Sequence, residues 1–373
     1  MNKRIFKGET ADTGNVPFYK IGTFGSQPDA FISRELFDEY KIKYPYPTIG
    51  DLLISASGSI GRIVEYKGED AYFQDSNIVW LKHDHRLENS FLKQFYAIVK
   101  WKGLEGSTIK RLYNKNILET EISISNPNEQ RKIGSFFKLL DNTITLHQRK
   151  LDKLKQLKQG YLQQLFPQND EKVPRVRFEN FEGNWILRKL STGMIEYTDR
   201  VFIEDDKIYK QISVKNIGEI TLRGERLGSK IGRKRQAKVN LDEHPITLIF
   251  TRQTVEQGGI GFAPVETNDA IVTENMPTID IDINVFDKQY LSALFKTMMF
   301  RKNIIIPNIE GGTAQIAIHE DDILSSELLF PSIDEQKLIG SFFKNLNHLI
   351  TLNQSKLDKL KSYKQALLQK MFI

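Results

Sequence analysis

The chain has 373 residues, 40% hydrophobic and 10% aromatic, a composition that suits folded domains and leaves room for two of ordinary size. It contains no cysteine, which excludes disulfides and thiolate metal sites, and no apolar run of the roughly 18 residues a membrane span requires. The net charge of +6 is mildly basic, and the opening MNKRIFKGETADTG has no apolar signal region, which fits a cytoplasmic protein.

In chain order, a first α+β module is expected over residues 1–125. PFYKIGTFG (Pro17–Gly25), GDLLISASGSIGRI (Gly50–Ile63) and QDSNIVWL (Gln74–Leu81) read as short β-branched strands broken by Gly/Ser loops. SFLKQFYAIVKW reads as a short helix, and TIKRLYNK (Thr108–Lys115) as a polar loop. The first loop offers Ser55, Ser57, Ser59 and Arg62; the second offers Lys110, Arg111 and the aromatic Tyr113. Hydroxyls, guanidinium groups and amides read base edges and hold phosphates, and glycines allow close backbone approach, so these are candidate DNA contacts. A solvated surface loop is the alternative for each.

Residues 126–168 predict one long helix. Asn126 is followed three residues later by Glu129, a capping-box spacing, with Pro127 at the first helical position. A second α+β module is expected over 169–330. It opens with VPRVRFENFEGNWILRKL (Val173–Leu190). RLGSKIGRKRQAK (Arg226–Lys238) carries six cations in 13 residues and no acid, making Lys230, Arg233, Lys234 and Arg235 candidates for phosphate contact. TRQTVEQGG (Thr251–Gly259) offers Thr251, Arg252, Gln253 and Gln257 to base edges. KQYLSALFKTMMF predicts another short helix.

Residues 331–373 predict a second long helix, capped at Ser332 with Glu335 three residues on. Its 39 residues from Asp334 repeat those from Asn128 at 24 positions without a gap, 206 residues apart. That is an internal duplication. Both copies space apolar residues 4-3-4-3, from Ile133 to Leu165 and from Ile339 to Met371, the period of a coiled coil. Each helix would be about 58 Å long at 1.5 Å per residue. Both seams are interrupted at the same two places, His147 with Asn353 and Lys158 with Lys364, so these four are candidate register-setting positions. An antiparallel pairing about a pseudo-twofold axis would bring His147 and Asn353 together near the crossing. The two repeats carry +5 and +4, and the remainder of the chain −3. The module segments correspond more faintly: Pro17–Gly25 with Lys207–Gly218, Gly50–Ile63 with His244–Phe262, Gln74–Leu81 with Thr273–Ile281, and Gly106–Ile124 with Gly312–Phe330.

Motifs for catalysis are missing. There is no GxxxxGK[ST] loop, no HExxH, no GxSxG elbow, no tetrapeptide of the NPPY kind and no glycine-rich cofactor loop. The six histidines show no ligand spacing, and His83-Asp84-His85 reads as a polar turn. The residues therefore point to a binding protein without metal or catalytic residues. The alternatives are a methyltransferase or nuclease, and a coiled-coil scaffold that binds only protein.

The two diverged modules, each followed by a near-identical helix (NEQRKIGSFF or DEQKLIGSFF, then KLDKLK), together with VPRVRFENFEGNWILRKL, resemble the DNA-specificity (S) subunit of type I restriction–modification systems. The resemblance covers nearly the whole chain. It implies an α+β fold with two target-recognition domains separated by two conserved helices that form an antiparallel coiled coil. Each domain would read half of a bipartite DNA site. The helices would set the gap between half-sites, one turn of B-DNA being about 34 Å, and would dock two methyltransferase (M) subunits and, through them, restriction (R) subunits. S-adenosylmethionine would belong to the M subunits, with no cofactor on this chain. The specificity part of another restriction–methylation system is a further alternative. One departure stands out: Met1 aligns with Ser191, so the first module is expected to lack its counterpart of Val173–Leu190.

Overall fold

The computed structural model describes residues 2–102, 110–168, 171–309 and 317–372. The expected framework match over 106–109 and 312–316, including Thr108, lies outside the described residues. The helices are α1 (Arg34–Lys43), α2 (Asn89–Tyr96), α3 (Asn114–Leu118), α4 (Pro127–Gln164), α5 (Lys288–Leu294), α6 (Met298–Phe300), α7 (Glu320–Ser325) and α8 (Ile333–Phe372). The chain divides into two compact units, one of residues 1–149 and 355–373, the other of 150–354. The division cuts both long helices, so each unit takes the first half of one and the second half of the other.

The caps of the long helices follow the sequence. Asn126 Oδ1 accepts from the Glu129 amide at 3.0 Å, and Ser332 Oγ from the Glu335 amide at 3.3 Å. The seam follows it as well. Of the twenty positions, only Met371 is exposed. In the first unit the two half-helices run antiparallel, Asp141 meeting Lys364 and Gln148 meeting Lys361; in the second, Tyr161 meets Phe342 and Phe166, just past the end of α4, meets Phe343.

The first unit contains β1 (Val16–Tyr19), β2 (Phe31–Ile32), β3 (Leu52–Ser55), β4 (Ile63–Glu65), β5 (Tyr72–Phe73) and β6 (Ile78–Trp80). They form two sheets, ordered β2-β1-β5 and β4-β3-β6. All four residues of β3 are buried, as befits a strand paired on both edges. α2 lays Phe91, Leu92, Phe95 and Tyr96 inward, and Phe95 joins Leu52, Ile54, Val79, Leu112 and Ile117 in one core.

The second unit contains β7 (Ile186–Lys189), β8 (Met194–Tyr197), β9 (Asp199–Phe202), β10 (Ile208–Val214), β11 (Ile220–Leu227), β12 (Arg235–Lys238), β13 (Thr247–Phe250), β14 (Ile260–Phe262), β15 (Ile271–Val272), β16 (Thr278–Ile281) and β17 (Glu327–Phe330). Its sheets are ordered β11-β10-β15-β12-β9, β14-β13-β16-β8 and β17-β7. The faint sequence correspondences reappear as topology. β4-β3-β6 matches β14-β13-β16, and the parallel pair β1/β5 matches the parallel pair β10/β15. The second unit adds β7, β8, β9, β12 and β17. The fold is α+β with an internal repeat.

Each unit is fastened to its helix by the same joint, which the sequence reading passed over. Gln130 is fully buried; its Oε1 accepts from the Glu88 amide (3.0 Å) and its Nε2 donates to the carbonyls of Arg86 (2.9 Å) and Ser125 (2.7 Å). Gln336 repeats all three bonds, to the Asp287 amide (3.0 Å) and to the carbonyls of Val285 (3.1 Å) and Pro331 (3.2 Å). One turn further on, Gly134 and Gly340 let a second helix approach. A Cβ would stand 2.2 Å from Ser90 Oγ at Gly134 and 2.6 Å from the Tyr290 amide nitrogen at Gly340. The glycine in both copies of IGSFFK is thus a contact requirement.

Candidate nucleic-acid interface

In the first unit the β3–β4 turn is built on Gly58 and Gly61, both at positive φ (64° and 83°). Ser55 is buried; its hydroxyl bonds the Ser59 carbonyl and accepts from the Arg62 amide at 2.9 Å. It frames the turn. Arg62 is exposed, yet its guanidinium donates to the Phe24 carbonyl at 2.8 Å and to Ser59 Oγ at 3.4 Å. Ser57 pairs as a β-bridge with Arg111 and donates to Asn77 Oδ1 at 2.8 Å. Arg111 in turn reaches Asn77 Oδ1 (3.2 Å) and Ser76 Oγ (2.6 Å), and lies 5.9 Å from the centre of the Tyr113 ring. Lys110 and Tyr113 are exposed beside it. Two loops about 50 residues apart in sequence therefore converge on one polar cluster, as strand pairing brings their ends together. Asn77 and Ser76 belong to it; the sequence marks their stretch, Gln74–Leu81, only as a framework strand.

The second unit uses the same backbone frame with different side chains. The Ala56 amide donates to the Asn77 carbonyl (2.8 Å) and the Leu112 amide to the Ala56 carbonyl (2.8 Å). At the matching positions, the Arg252 amide donates to the Asn275 carbonyl (3.0 Å) and the Ile318 amide to the Arg252 carbonyl (3.0 Å). One frame thus presents a buried alanine in one unit and an arginine in the other. Arg252 is held by Glu320, Nε to Oε2 at 2.8 Å, with the second guanidinium nitrogen on Oε1; the two side chains are 21% and 12% exposed. A guanidinium gripped on two sides by a carboxylate has a fixed direction. Thr251 bonds Thr254 through their hydroxyls, Gln257 accepts from Asn216 Nδ2 at 2.5 Å, and Gln253 is exposed.

The basic run Arg226–Lys238 spans the end of β11, a short turn and β12. Three of its cations are paired with acids from elsewhere: Arg233 with Glu274 (2.5 Å), Lys234 with Asp205, and Lys238 with Asp269 (2.8 Å). Lys230 and Arg235 are exposed. Arg235 and Arg252 line one cavity of about 730 Å³, together with Arg200, Gln236, Glu196 and Glu274. Burial, followed by the charges of Glu320 and Asp321, raises the Glu196 carboxyl, while Arg252 opposes the shift. A cavity edged by three arginines, a glutamine and acids can accept hydrogen-bonding ligands of either polarity, as base edges are.

Of the register positions, Lys364 pairs with Asp141 at 2.5 Å. Lys158, its repeat mate, is half-buried; by the same 206-residue offset the counterpart of Asp141 is Asn347. Burial, with Lys296 nearby, lowers the Lys158 ammonium. Asn353 donates to the Leu349 carbonyl of its own helix at 2.7 Å, and His147 keeps a buried Nδ1 without a hydrogen bond among the described residues. His147 belongs to the first unit and Asn353 to the second. His83-Asp84-His85 forms a polar turn, with His83 Nε2 2.7 Å from Asn89 Oδ1. Among the described residues no three His, Cys, Asp or Glu side chains gather in a way that could hold a metal ion, and no helix is long and apolar enough to cross a membrane.

Residues 1–156 match the family described as type I restriction modification DNA specificity domain. Over 149 residues the chain is 57% identical to the putative type I restriction enzyme specificity subunit S.HindORF215P of Haemophilus influenzae, a match covering 39% of each protein. Over 98% of its length it is 21% identical to the putative type I restriction enzyme MjaX specificity subunit of Methanocaldococcus jannaschii, covering 85% of that protein. In fold it is similar to the crystal structure of the type I restriction-modification system S subunit from M. genitalium, with a TM-score of 0.57 at 13% identity, over 100% of this chain and 92% of that one. The resemblance first carried by the doubled helices thus holds in sequence and in fold.

Proposed function

We propose, from this resemblance to type I specificity subunits, that the chain is the DNA-specificity subunit of a type I restriction–modification complex. The observation that carries the reading is the shared frame at Ala56 and Arg252: one scaffold, repeated, with the side chain at its tip changed. Two units of common descent with different tips suit an asymmetric bipartite site, one half read by each. Ser57, Arg111, Tyr113 and Asn77 are the proposed contacts of the first unit; Arg235, Arg252, Gln253 and Arg200 are those of the second. The two long helices join the readers and offer the docking surface for M subunits and, through them, R subunits. The chain performs no chemistry itself, S-adenosylmethionine being carried by the M subunits, and it works in the cytoplasm.

The test is a gel-shift titration of the chain, alone and with its M subunit, on a randomised duplex pool. The expected result is enrichment of one bipartite site, with affinity falling steeply with salt: about six phosphate contacts cost roughly a thousandfold between 50 and 200 mM. Protein binding with no DNA enrichment would favour the scaffold reading instead.

A further inference from the structure

In the second unit, Val173–Leu190 covers one continuous face. Arg177 grips the buried Glu335 through both carboxylate oxygens (2.7 and 2.8 Å). Phe178 packs against Phe342 at 6.2 Å, and Trp185 against Phe166 and Tyr290 at 6.3 and 6.2 Å. β7 then pairs antiparallel with β17, Arg188 opposite Leu328 and Ile186 opposite Phe330. Under this cover Leu328, Phe330, Glu335 and Phe166 are each no more than 2% exposed.

The repeat supplies the same face in the first unit, and there it is open. Ile122 and Ile124 stand 206 residues before Leu328 and Phe330, but Glu121–Ile124 form no strand and Ile124 is 49% exposed. Glu129, the mate of Glu335, is exposed, and Phe136, the mate of Phe342, is 45% exposed. Phe372, the mate of Phe166, packs on Phe91 at 4.7 Å and lines a cavity of about 930 Å³ with Phe95, Val99, Thr120, Glu121 and Gln369. Thr120 is the mate of Ser326, whose carbonyl accepts from the Leu190 amide in the covered unit. A carboxylate, two aromatic rings, a cavity and a segment that belongs to no strand are thus set out in the order in which the second unit's face is filled.

We propose that this face of the first unit is a receptor for a peptide segment with the chemistry of Arg177–Leu190: a cation for Glu129, a phenylalanine for Phe136, a tryptophan for the cavity, and a short strand that pairs with Glu121–Ile124. Strand addition supplies main-chain hydrogen bonds, and the side-chain pockets supply selectivity. The site is separate from the loops assigned to DNA and its test uses no DNA.

The test titrates the full chain against a fluorescent synthetic peptide, VPRVRFENFEGNWILRKL, and crosslinks it from a photoreactive group at the tryptophan position. The expected result is saturable one-to-one binding, with crosslinks within residues 95–124 or 365–372. The peptide with Trp185→Ala weakens by about tenfold or more, as loss of a buried aromatic anchor should. On the chain, Glu129→Lys weakens binding and Ile124→Pro, at an exposed position, blocks strand pairing. Absence of saturable binding, insensitivity to all three changes, or crosslinks at 327–330 (strand exchange in the second unit) would each overturn the proposal.

Discussion

Under the proposed function, Arg252 is the residue where recognition and stability meet. Glu320 fixes its direction and is itself largely buried, so Arg252→Ala removes a directed donor and leaves a carboxylate without its partner. Two effects are expected together: preference at one position of one half-site relaxes by about 1–3 kcal/mol, and the fold loses about 2–4 kcal/mol from the orphaned carboxylate. Glu320→Gln separates them, keeping a neutral partner while loosening the guanidinium. Methylation or binding assays on single-base variants read the first effect, and denaturant melts read the second. A uniform loss across all sequences would mark Arg252 as a phosphate contact. Lys158 carries the pH prediction. Its ammonium is lowered by burial and by Lys296, so the unfolded chain holds that proton more tightly. Stability therefore rises as pH climbs from the depressed folded value toward the ordinary lysine range. Lys158→Met should flatten that slope and stabilise the protein at neutral pH, as followed by melts between pH 7 and 10.5. A slope unchanged by Lys158→Met would show that the ammonium is not held at a cost.

At the scale of elements, the long helices were the most legible part of the chain, because a strict 4-3-4-3 spacing repeated in two copies leaves little choice of structure. The seam from Ile133 and from Ile339 is covered except at Met371, and the caps at Asn126 and Ser332 are in place. The β3 and β13 frameworks were legible for a related reason, as buried central strands read as apolar runs. Partners distant in sequence were not. The cations of Arg226–Lys238 looked free because Asp205, Asp269 and Glu274 lie outside the run. The joints at Gln130 and Gln336 were invisible because a glutamine inside a helix carries no signal until its three partners are known. Each amide makes three bonds, so Gln130→Ala or Gln336→Ala should cost about 3 kcal/mol at roughly 1 kcal/mol per bond. The matching measurement is urea unfolding of both variants. Losses of similar size would bear out the repeat at the level of energy, and a null effect in either would contradict it. The repeat is imperfect at Asp141, whose mate is Asn347; Asn347→Asp should give Lys158 an acid to pair with and raise the melting temperature.

For the whole molecule, the sequence organisation of diverged modules before near-identical helices is the feature the proposed function has to explain. Segments that read different DNA sequences are free to drift at their tips, while segments that face a repeated partner are held alike. The same argument predicts independence. Changes at Ser57, Arg111 or Asn77 should alter one half-site and leave the other intact, while changes at Arg235, Arg252 or Gln253 should do the reverse. Single-base-resolution mapping of DNA methylation in cells carrying this chain with the proposed methyltransferase partner tests that claim most directly. The account predicts one asymmetric bipartite motif whose two halves respond separately to the two sets of substitutions. Methylation at a single continuous motif, or both halves shifting with either set, would contradict it.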